Sequence, residues 1–204
     1  MYNFRIPVVV LDCEMSGLEP EDHQLIQISA VKCDPRNLKI LDTFNSFVGP
    51  SSGNILDLEK NSDVNALNKS SYHSNKEKIR SSPQIESVLT NLFKWLPLDY
   101  VLSGYNLELD IKFLEHYSKQ NFYFSGVKFP KISYKRVDLS TFVEFYSSKH
   151  GTPADIHSKR LEDVCQTLNL VVKPAHDSLN DCHMALDLLR YFLKNTVFTG
   201  EKND

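Results

Sequence analysis

The chain has 204 residues, of which 41% are hydrophobic and 24% are charged, and its formal net charge is -3. This composition is typical of a water-soluble globular protein with one substantial core, and the slightly negative charge excludes a strongly basic nucleic-acid coat. The longest uncharged apolar stretch, residues 7–11, is too short to span a bilayer, and the N-terminus lacks a secretory signal. We therefore expect an intracellular, cytoplasmic protein without a membrane partner, with one domain over residues 1–196 and a flexible tail over residues 197–204. The four cysteines show no C-x-x-C spacing, which favours reduced, buried thiols over a zinc or redox site.

The first elements along the chain are predicted to be strands. Residues 8–11 form a β-branched run that is typical of a buried strand, and residues 25–33 and 39–48 are apolar enough to form two more. A turn at residues 34–37 joins the last two, so the pattern predicts a three-stranded meander. Residues 51–82 are polar and rich in Ser and Asn, which indicates a loop with short helical pieces.

The second half is predicted to be mainly helical. Apolar residues recur at helical spacing in several segments, and two short apolar runs between them favour strands. Asp138 stands directly before one predicted helix and is expected to be its N-cap. The predicted helices are residues 83–95, 107–117, 139–146, 159–168 and 179–194, and the predicted strands are residues 100–103 and 131–137.

Two carboxylates, Asp12 and Glu14, come at the end of the first strand. Alternate side chains of a strand point to the same face, so this pair could hold a divalent cation. The spacing alone is weak evidence, because Asp57 and Glu59 share it without a strand before them. That second pair is expected to lie in a solvated loop or at a helix start.

Two further acids fall on the apolar stripes of predicted helices. Asp110 shares a stripe with Leu107 and Phe113, and Asp181 shares one with Leu188. An acid on a core stripe is costly unless it is paired or bound to a metal. A role in helix capping or with the helix dipole is the alternative for each, since both lie near helix starts. Together with the strand pair, they favour a metal site.

His176 precedes Asp181 by five positions, in the loop before the last predicted helix. Histidine titrates near neutral pH and can act as a general base. A ring in this loop could reach a water molecule bound at the metal site.

Three segments together resemble the ordered motifs of the DnaQ-like, or DEDDh, 3'-5' exonucleases. They are residues 11–18 (LDCEMSGL), residues 104–110 (GYNLELD), and His176 with Asp181. A sister group carries a tyrosine four positions before the last acid, where this chain has Asp177, so the histidine class is favoured. The stretch at 160–170 also resembles the helix that precedes the third motif. The resemblance implies an α/β, ribonuclease H-like fold with a mixed five-stranded sheet flanked by helices.

The resemblance also implies a chemistry for the site. Two divalent cations, Mg2+ with Mn2+ as a possible substitute, would be held by four acids, and His176 would take a proton from the attacking water. The products would be nucleoside 5'-monophosphates. For Met15, Ser16 and Leu18, packing within the turn is the alternative to substrate contact. The acids are Asp12, Glu14, Asp110 and Asp181, and the substrate contacts are Met15, Ser16, Leu18 and Asn106.

Three functions remain open on the sequence. The first is an exonuclease on single-stranded DNA 3' ends, of a proofreading or repair type, with a DNA polymerase as a candidate partner. The second is the same chemistry on RNA 3' ends or short oligoribonucleotides, because residues 12–15 are similar to the opening of oligoribonuclease-like enzymes. The third is a non-catalytic nucleic-acid-binding or polymerase-tethering module. Neither the sugar preference nor the oligomeric state follows from the sequence.

Two basic stretches are candidates for contact with the strand. Lys and Arg outnumber Asp and Glu between residues 128 and 160, where aromatic residues are interleaved, and residues 69–80 are also rich in Lys. Solvated loops are the default interpretation of such stretches. Phe142, Phe145 and Tyr146 have helical spacing and are expected to be core residues.

Overall fold

Five strands form one mixed sheet around a central strand. They are β1 (Val8–Met15), β2 (Leu25–Cys33), β3 (Ile40–Phe47), β4 (Val101–Gly104) and β5 (Arg136–Asp138), in the spatial order β3-β2-β1-β4-β5. β1 pairs antiparallel with β2, and β2 with β3, which confirms the predicted meander. β4 and β5 run parallel to β1, as a return through helical crossovers requires. The predicted fold class is confirmed.

This computed structural model describes residues 4–125, 131–150, 160–174 and 176–195, with the backbone alone for residues 121–125 and 149–150. The predicted tail at residues 197–204 lies outside them. None of the helices in these ranges is long and apolar enough to cross a membrane.

Eight helices are present in the described part of the chain, and each predicted helix is among them. The polar stretch at residues 51–82 contains three short helices, and the helix predicted to end at residue 117 continues to Ser125. The predicted strand at 131–137 is shorter and begins later. The helices are α1 (Ile55–Lys60), α2 (Val64–Lys69), α3 (Tyr72–Arg80), α4 (Ile85–Trp95), α5 (Leu107–Ser125), α6 (Leu139–His150), α7 (Leu161–Thr167) and α8 (Ser178–Asn195).

The core has two main layers, one on each face of the central strand. Val8 and Val10 pack with α8, whereas Val9 and Leu11 pack with α4 and α5. The alternation of side chains along β1 thus divides one buried strand between two helical layers. The four described cysteines are free and buried, as predicted.

Asp138 caps two helices. It is the predicted N-cap of α6, because its Oδ1 accepts hydrogen bonds from the backbone N and the hydroxyl of Ser140. The same carboxylate accepts from the backbone N of Asn106 and of Leu107, at 3.1 and 3.0 Å, and so also satisfies the start of α5.

Gly104, at the end of β4, allows the chain to pass close to β1. A Cβ at this position would lie 2.6 Å from the carbonyl oxygen of Leu11 and 2.5 Å from a methyl carbon of Leu107. The absence of a side chain therefore lets α5 begin directly beside the central strand.

The prediction that Phe142 and Phe145 are core residues is wrong. Their side chains are 40% and 70% exposed. The buried stripe of α6 runs instead through Leu139 and Val143, so the two phenylalanines lie to its side. Tyr146 is half-buried and packs against the core as expected.

Candidate active site

The strand part of the site lies where β1 extends beyond β4. Pairing between these strands ends at Val10 and Ser103, so the next residues of β1 are paired only with β2. Asp12 and Glu14 continue the face of Val10, toward the α8 layer. A cleft opens at this point because β4 has turned away into α5.

Asp110 replaces the missing strand partner. Its Oδ1 accepts a hydrogen bond of 2.8 Å from the backbone N of Cys13, which lies between Asp12 and Glu14. The side chain of Asp110 is only 4% exposed. The acid of α5 is thereby fixed against the strand that carries the first pair.

Asp181 and His176 complete the cluster from the α8 side. One potential ligand atom from each of Glu14, His176 and Asp181 lies within 4.8 Å of the others. Asp181 Oδ2 accepts a hydrogen bond from the backbone N of His176, at 3.1 Å. The N-caps of the two helices are other acids, not Asp110 and Asp181. The carboxylate of Asp138 accepts from the first turn of α5, and Asp177 Oδ1 accepts from the first turn of α8.

A network of polar side chains holds the loop of His176 on the sheet. Gln27, which is fully buried and opposite Glu14 on β2, donates to Asn45 Oδ1 at 3.0 Å and approaches Asp177 Oδ2 at 3.5 Å. Beside it, the hydroxyls of Ser29 and Ser178 are 2.6 Å apart. These contacts tie the start of α8 to β2.

The His176 backbone is also bound on its other side. Its carbonyl accepts from the backbone N of Ser71 at 2.7 Å, which connects it to the junction of α2 and α3. The φ angle of His176 is 62°, in the left-handed region. The backbone that carries the ring is therefore held from two sides, by α8 and by the junction of α2 and α3.

The acids perturb one another. Burial, and then repulsion by Asp110, Glu14 and Asp181, raises the pKa of Asp12 well above its ordinary value. Burial first, and then the neighbouring acids, raises the pKa of Glu14 to about 8, and burial raises those of Asp110 and Asp181 to about 8 and about 7. Divalent cations would offset this repulsion between carboxylates, and Mg2+ and Mn2+ both bind carboxylate oxygens. The residues present thus fit a divalent metal site.

The acids and His176 line a cleft of about 430 Å³ that most of the predicted substrate contacts also border. Ser16 is the exception: it is 1% exposed, does not line this cleft, and accepts a hydrogen bond from the backbone N of Gln24. Tyr105 was not predicted as a cleft residue, although it lies within the second motif. The wall formed by α2 was not predicted either, because the polar segment 51–82 has no apolar period that would place it; of the basic stretch 69–80, Lys69 lines the cleft. Residues that line the cleft include Asp12, Glu14, Met15, Leu18, Asn65, Lys69, Tyr105, Asn106, Asp110, His176 and Asp181.

The second Asp-x-Glu pair lies elsewhere. Asp57 and Glu59 belong to α1, as expected for the start of a helix. Glu59 pairs with Lys76 at 2.6 Å and accepts a hydrogen bond from the Tyr72 hydroxyl. Glu59 therefore has structural partners of its own, away from the acidic cleft.

Comparison with known proteins decides the family. The RNase T family, described as exonuclease, matches residues 9–189, which is most of the chain. The chain belongs to this exonuclease family. This agrees with the DnaQ-like exonuclease family that the motifs predicted. Exonucleases of this family act on nucleic acids and use divalent metal ions, for which the acidic cleft is the candidate site.

Solved structures with this fold include Escherichia coli exonuclease I in complex with single-stranded DNA, with a TM-score of 0.76 and 16% identity over 93% of this chain and 40% of that one. The nuclease domain of 3'hExo, described as a DEDDh family member bound to rAMP, has a TM-score of 0.69 and 17% identity. That comparison covers 95% of this chain and 94% of the 3'hExo chain. In sequence, the chain is 26% identical to a PolC-type DNA polymerase III of Caldanaerobacter subterraneus over 176 residues. That match covers 81% of this chain but only 11% of the polymerase.

Proposed function

We propose that this protein is a metal-dependent 3'-5' exonuclease that releases nucleoside 5'-monophosphates from single-stranded nucleic acid, with DNA as the leading substrate. The observation that carries the proposal is the convergence of Asp12, Glu14, Asp110, His176 and Asp181 on one cleft from three distant segments. The proposed catalytic domain is residues 1–196, consistent with a family match over 9–189.

The four acids are the proposed ligands of two divalent cations, with Mg2+ as the natural ion and Mn2+ as a substitute. Asp12 is central in this set, because its carboxylate is perturbed by all three of the other acids. Bound cations would supply charge neutralisation at the scissile phosphate and a more acidic water.

His176 is the proposed general base. Its ring accepts a proton from the attacking water, whose oxygen forms a bond to phosphorus as the bond from phosphorus to the 3'-oxygen breaks. The departing 3'-oxygen is protonated from solvent, and His176 returns its proton to solvent. We propose that Met15, Leu18 and Asn106 position the terminal nucleotide, with Ser16 supporting the turn that presents them.

The choice of DNA is supported by the similarity to a PolC-type DNA polymerase, which also makes a DNA polymerase a candidate partner. RNA is the second candidate, because the 3'hExo domain of similar fold was solved with rAMP. A binding site that grips mainly the backbone need not read the 2'-hydroxyl.

The decisive experiment is a time course on matched DNA and RNA oligonucleotides, labelled at the 5' or the 3' end and including very short strands. We expect stepwise shortening of 5'-labelled strands with Mg2+ and none with EDTA. Immediate loss of 3' label as mononucleotide is the matching signature of polarity. A non-catalytic binding module would be indicated if no strand were shortened and Mg2+ did not raise the melting temperature.

A further inference from the structure

A second groove adjoins the acidic cleft. It lies between the turn that joins β4 to α5 and the exposed side of α6, and its volume is about 540 Å³. Tyr105 and Asn106 line both the groove and the cleft, so the two adjoin at these residues. A ligand in the cleft that passes Tyr105 and Asn106 would enter the groove. Its lining includes Tyr105, Asn106, Ser140, Thr141, Glu144 and Phe145.

The groove has the chemistry of a base-binding surface. Phe145 exposes 70% of its side chain there, although it lies on a helix whose opposite stripe is buried. Serine and threonine hydroxyls and the carboxylate of Glu144 complete the surface. Among the described residues that line it there is no lysine or arginine. Such a surface disfavours phosphates and suits the flat, uncharged face of a nucleobase, which stacks well on aromatic rings.

We propose that the part of the strand upstream of the 3'-terminal nucleotide passes Asn106 and lies in the α6 groove, with one base stacked on Phe145 and its phosphates turned to solvent. This inference rests on the proposed exonuclease function and extends it to the path of the substrate. The groove adjoins the candidate active site, and the described residues that line it include no lysine or arginine that would draw the phosphates inward.

Glu144 gives the groove a base preference. A carboxylate accepts hydrogen bonds from the exocyclic amino groups of adenine, cytosine and guanine, whereas thymine and uracil lack these groups. The groove should therefore hold an adenine strand more tightly than a thymine strand, and Glu144→Gln should reduce that difference.

The first test measures binding of a fluorescent DNA octamer by anisotropy, in an Asp12→Asn background that prevents turnover. Phe145→Ala should weaken binding about 5- to 150-fold, the range that corresponds to the loss of one stacked base. Leu98→Ala is the control, because Leu98 is fully exposed and lines neither the groove nor the cleft, and its effect should stay within about twofold. An unchanged affinity in Phe145→Ala, or an equal loss in both variants, would overturn the proposal.

The second test separates bases from phosphates. Octamers with a single abasic site, moved one position at a time from the 3' end, should reveal one position at which Phe145→Ala no longer weakens binding. A neutral methylphosphonate at the same position should leave the Phe145→Ala effect in place. If the methylphosphonate and not the abasic site removed the effect, the phosphates would face the groove and the orientation proposed here would be wrong.

A third measurement distinguishes the groove from the chemistry. The p-nitrophenyl ester of thymidine 5'-monophosphate needs only the acidic cleft, so the ratio of kcat/KM for the octamer to that for the ester reports on the rest of the strand. Phe145→Ala should lower this ratio, and Leu98→Ala should keep it. Absence of hydrolysis of both substrates by the unmodified protein would refute the exonuclease function, while the binding tests would still decide the fate of the groove.

Discussion

At the scale of single residues, His176 is positioned through its backbone. The backbone N donates to Asp181 and the carbonyl accepts from Ser71, while the φ angle of 62° lies in the left-handed region. Asparagine adopts this conformation more readily than alanine does. We therefore expect His176→Asn to remove the imidazole without disturbing the loop.

We expect His176→Asn to lower kcat by about 10²- to 10⁴-fold, the contribution typical of a positioned general base, with little change in KM. The measurement is the release of mononucleotide under saturating Mg2+. His73→Asn is the control, since His73 is exposed on α3 and bonded to Asn68, away from the cleft. If His176→Asn kept kcat within about threefold of the unmodified enzyme, the base would have to be assigned elsewhere.

At the scale of elements, the contact between β4 and β1 depends on Gly104. Gly104→Ala would place a Cβ against the Leu11 carbonyl, which is backbone and cannot rotate away. We expect a loss of about 1–3 kcal/mol in the free energy of unfolding, as for other overpacked sites, and weaker Mg2+ binding because Asp110 is displaced. Urea denaturation measures the first effect and metal titration the second.

The matched control for that substitution is Gly53→Asn. Gly53 has a φ angle of 72°, and a Cβ there meets nothing within 4 Å, so asparagine should be accommodated with little change. Equal stability of the two variants would show that the approach of β4 to β1 is not the reason for glycine at position 104.

The junction of β2 and α8 offers a test of coupling between elements. Ser29 and Ser178 are both fully buried, and their hydroxyl oxygens are 2.6 Å apart. Each single substitution to alanine should cost about 1–2 kcal/mol, because it removes a buried hydrogen-bond partner. The double variant should cost less than the sum of the two by at least about 0.5 kcal/mol. Additive losses, measured by urea denaturation against an exposed Ser81→Ala control, would exclude a direct bond.

The elements that could be predicted from the sequence are those with a clear apolar period. In β1, β2 and α8 the apolar runs or stripes of the sequence are the buried positions of the structure, so the sequence pattern alone predicts which residues are buried. α6 shows the limit, because Phe142 and Phe145 have helical spacing yet lie beside the buried stripe. Which aromatic residues face the core depends on where α8 packs, and that is a property of the tertiary structure. The second capping role of Asp138, for a helix that starts 31 residues earlier at Leu107, was hidden for the same reason.

At the scale of the whole molecule, the acidic cleft makes stability depend on pH and on metal. Burial raises the pKa values of Glu14 and Asp110 to about 8 in the metal-free protein, whereas carboxyl groups in an unfolded chain titrate near pH 4. Between these values the folded state binds more protons than the unfolded state. The contribution of these groups to stability is therefore complete below about pH 4 and is lost as the pH rises to about 8.

We accordingly expect the melting temperature in EDTA to fall between about pH 5 and pH 8, and Mg2+ to restore it most at the upper end of that range. Thermal denaturation at a series of pH values, with and without Mg2+, measures both effects. Glu14→Gln should flatten the EDTA profile, because a neutral side chain has no proton to lose. A melting temperature that rose with pH in EDTA, or a Mg2+ effect independent of pH, would contradict this account.

The acids of the site were predictable because each disagreed with its surroundings. Asp110 and Asp181 stand on apolar stripes, and Asp12 and Glu14 come at the end of a buried strand. Taken together they favoured a metal site, and the resemblance to a family supported bringing them to one place, since separations such as the 97 residues between Cys13 and Asp110 carry no local signal. The wall of the cleft formed by α2 was not predicted, because its polar sequence carries no local signal either.

The double cap of Asp138 has a consequence for how the enzyme would measure its substrate. This carboxylate joins the start of α5, which carries Asp110, to the start of α6, which carries Phe145. On the proposed path, the first helix borders the bond that is cut and the second holds the stacked base. Asp138 would then fix the distance between the scissile bond and the stacked base. The minimum length of a strand that is degraded efficiently would be set by this distance.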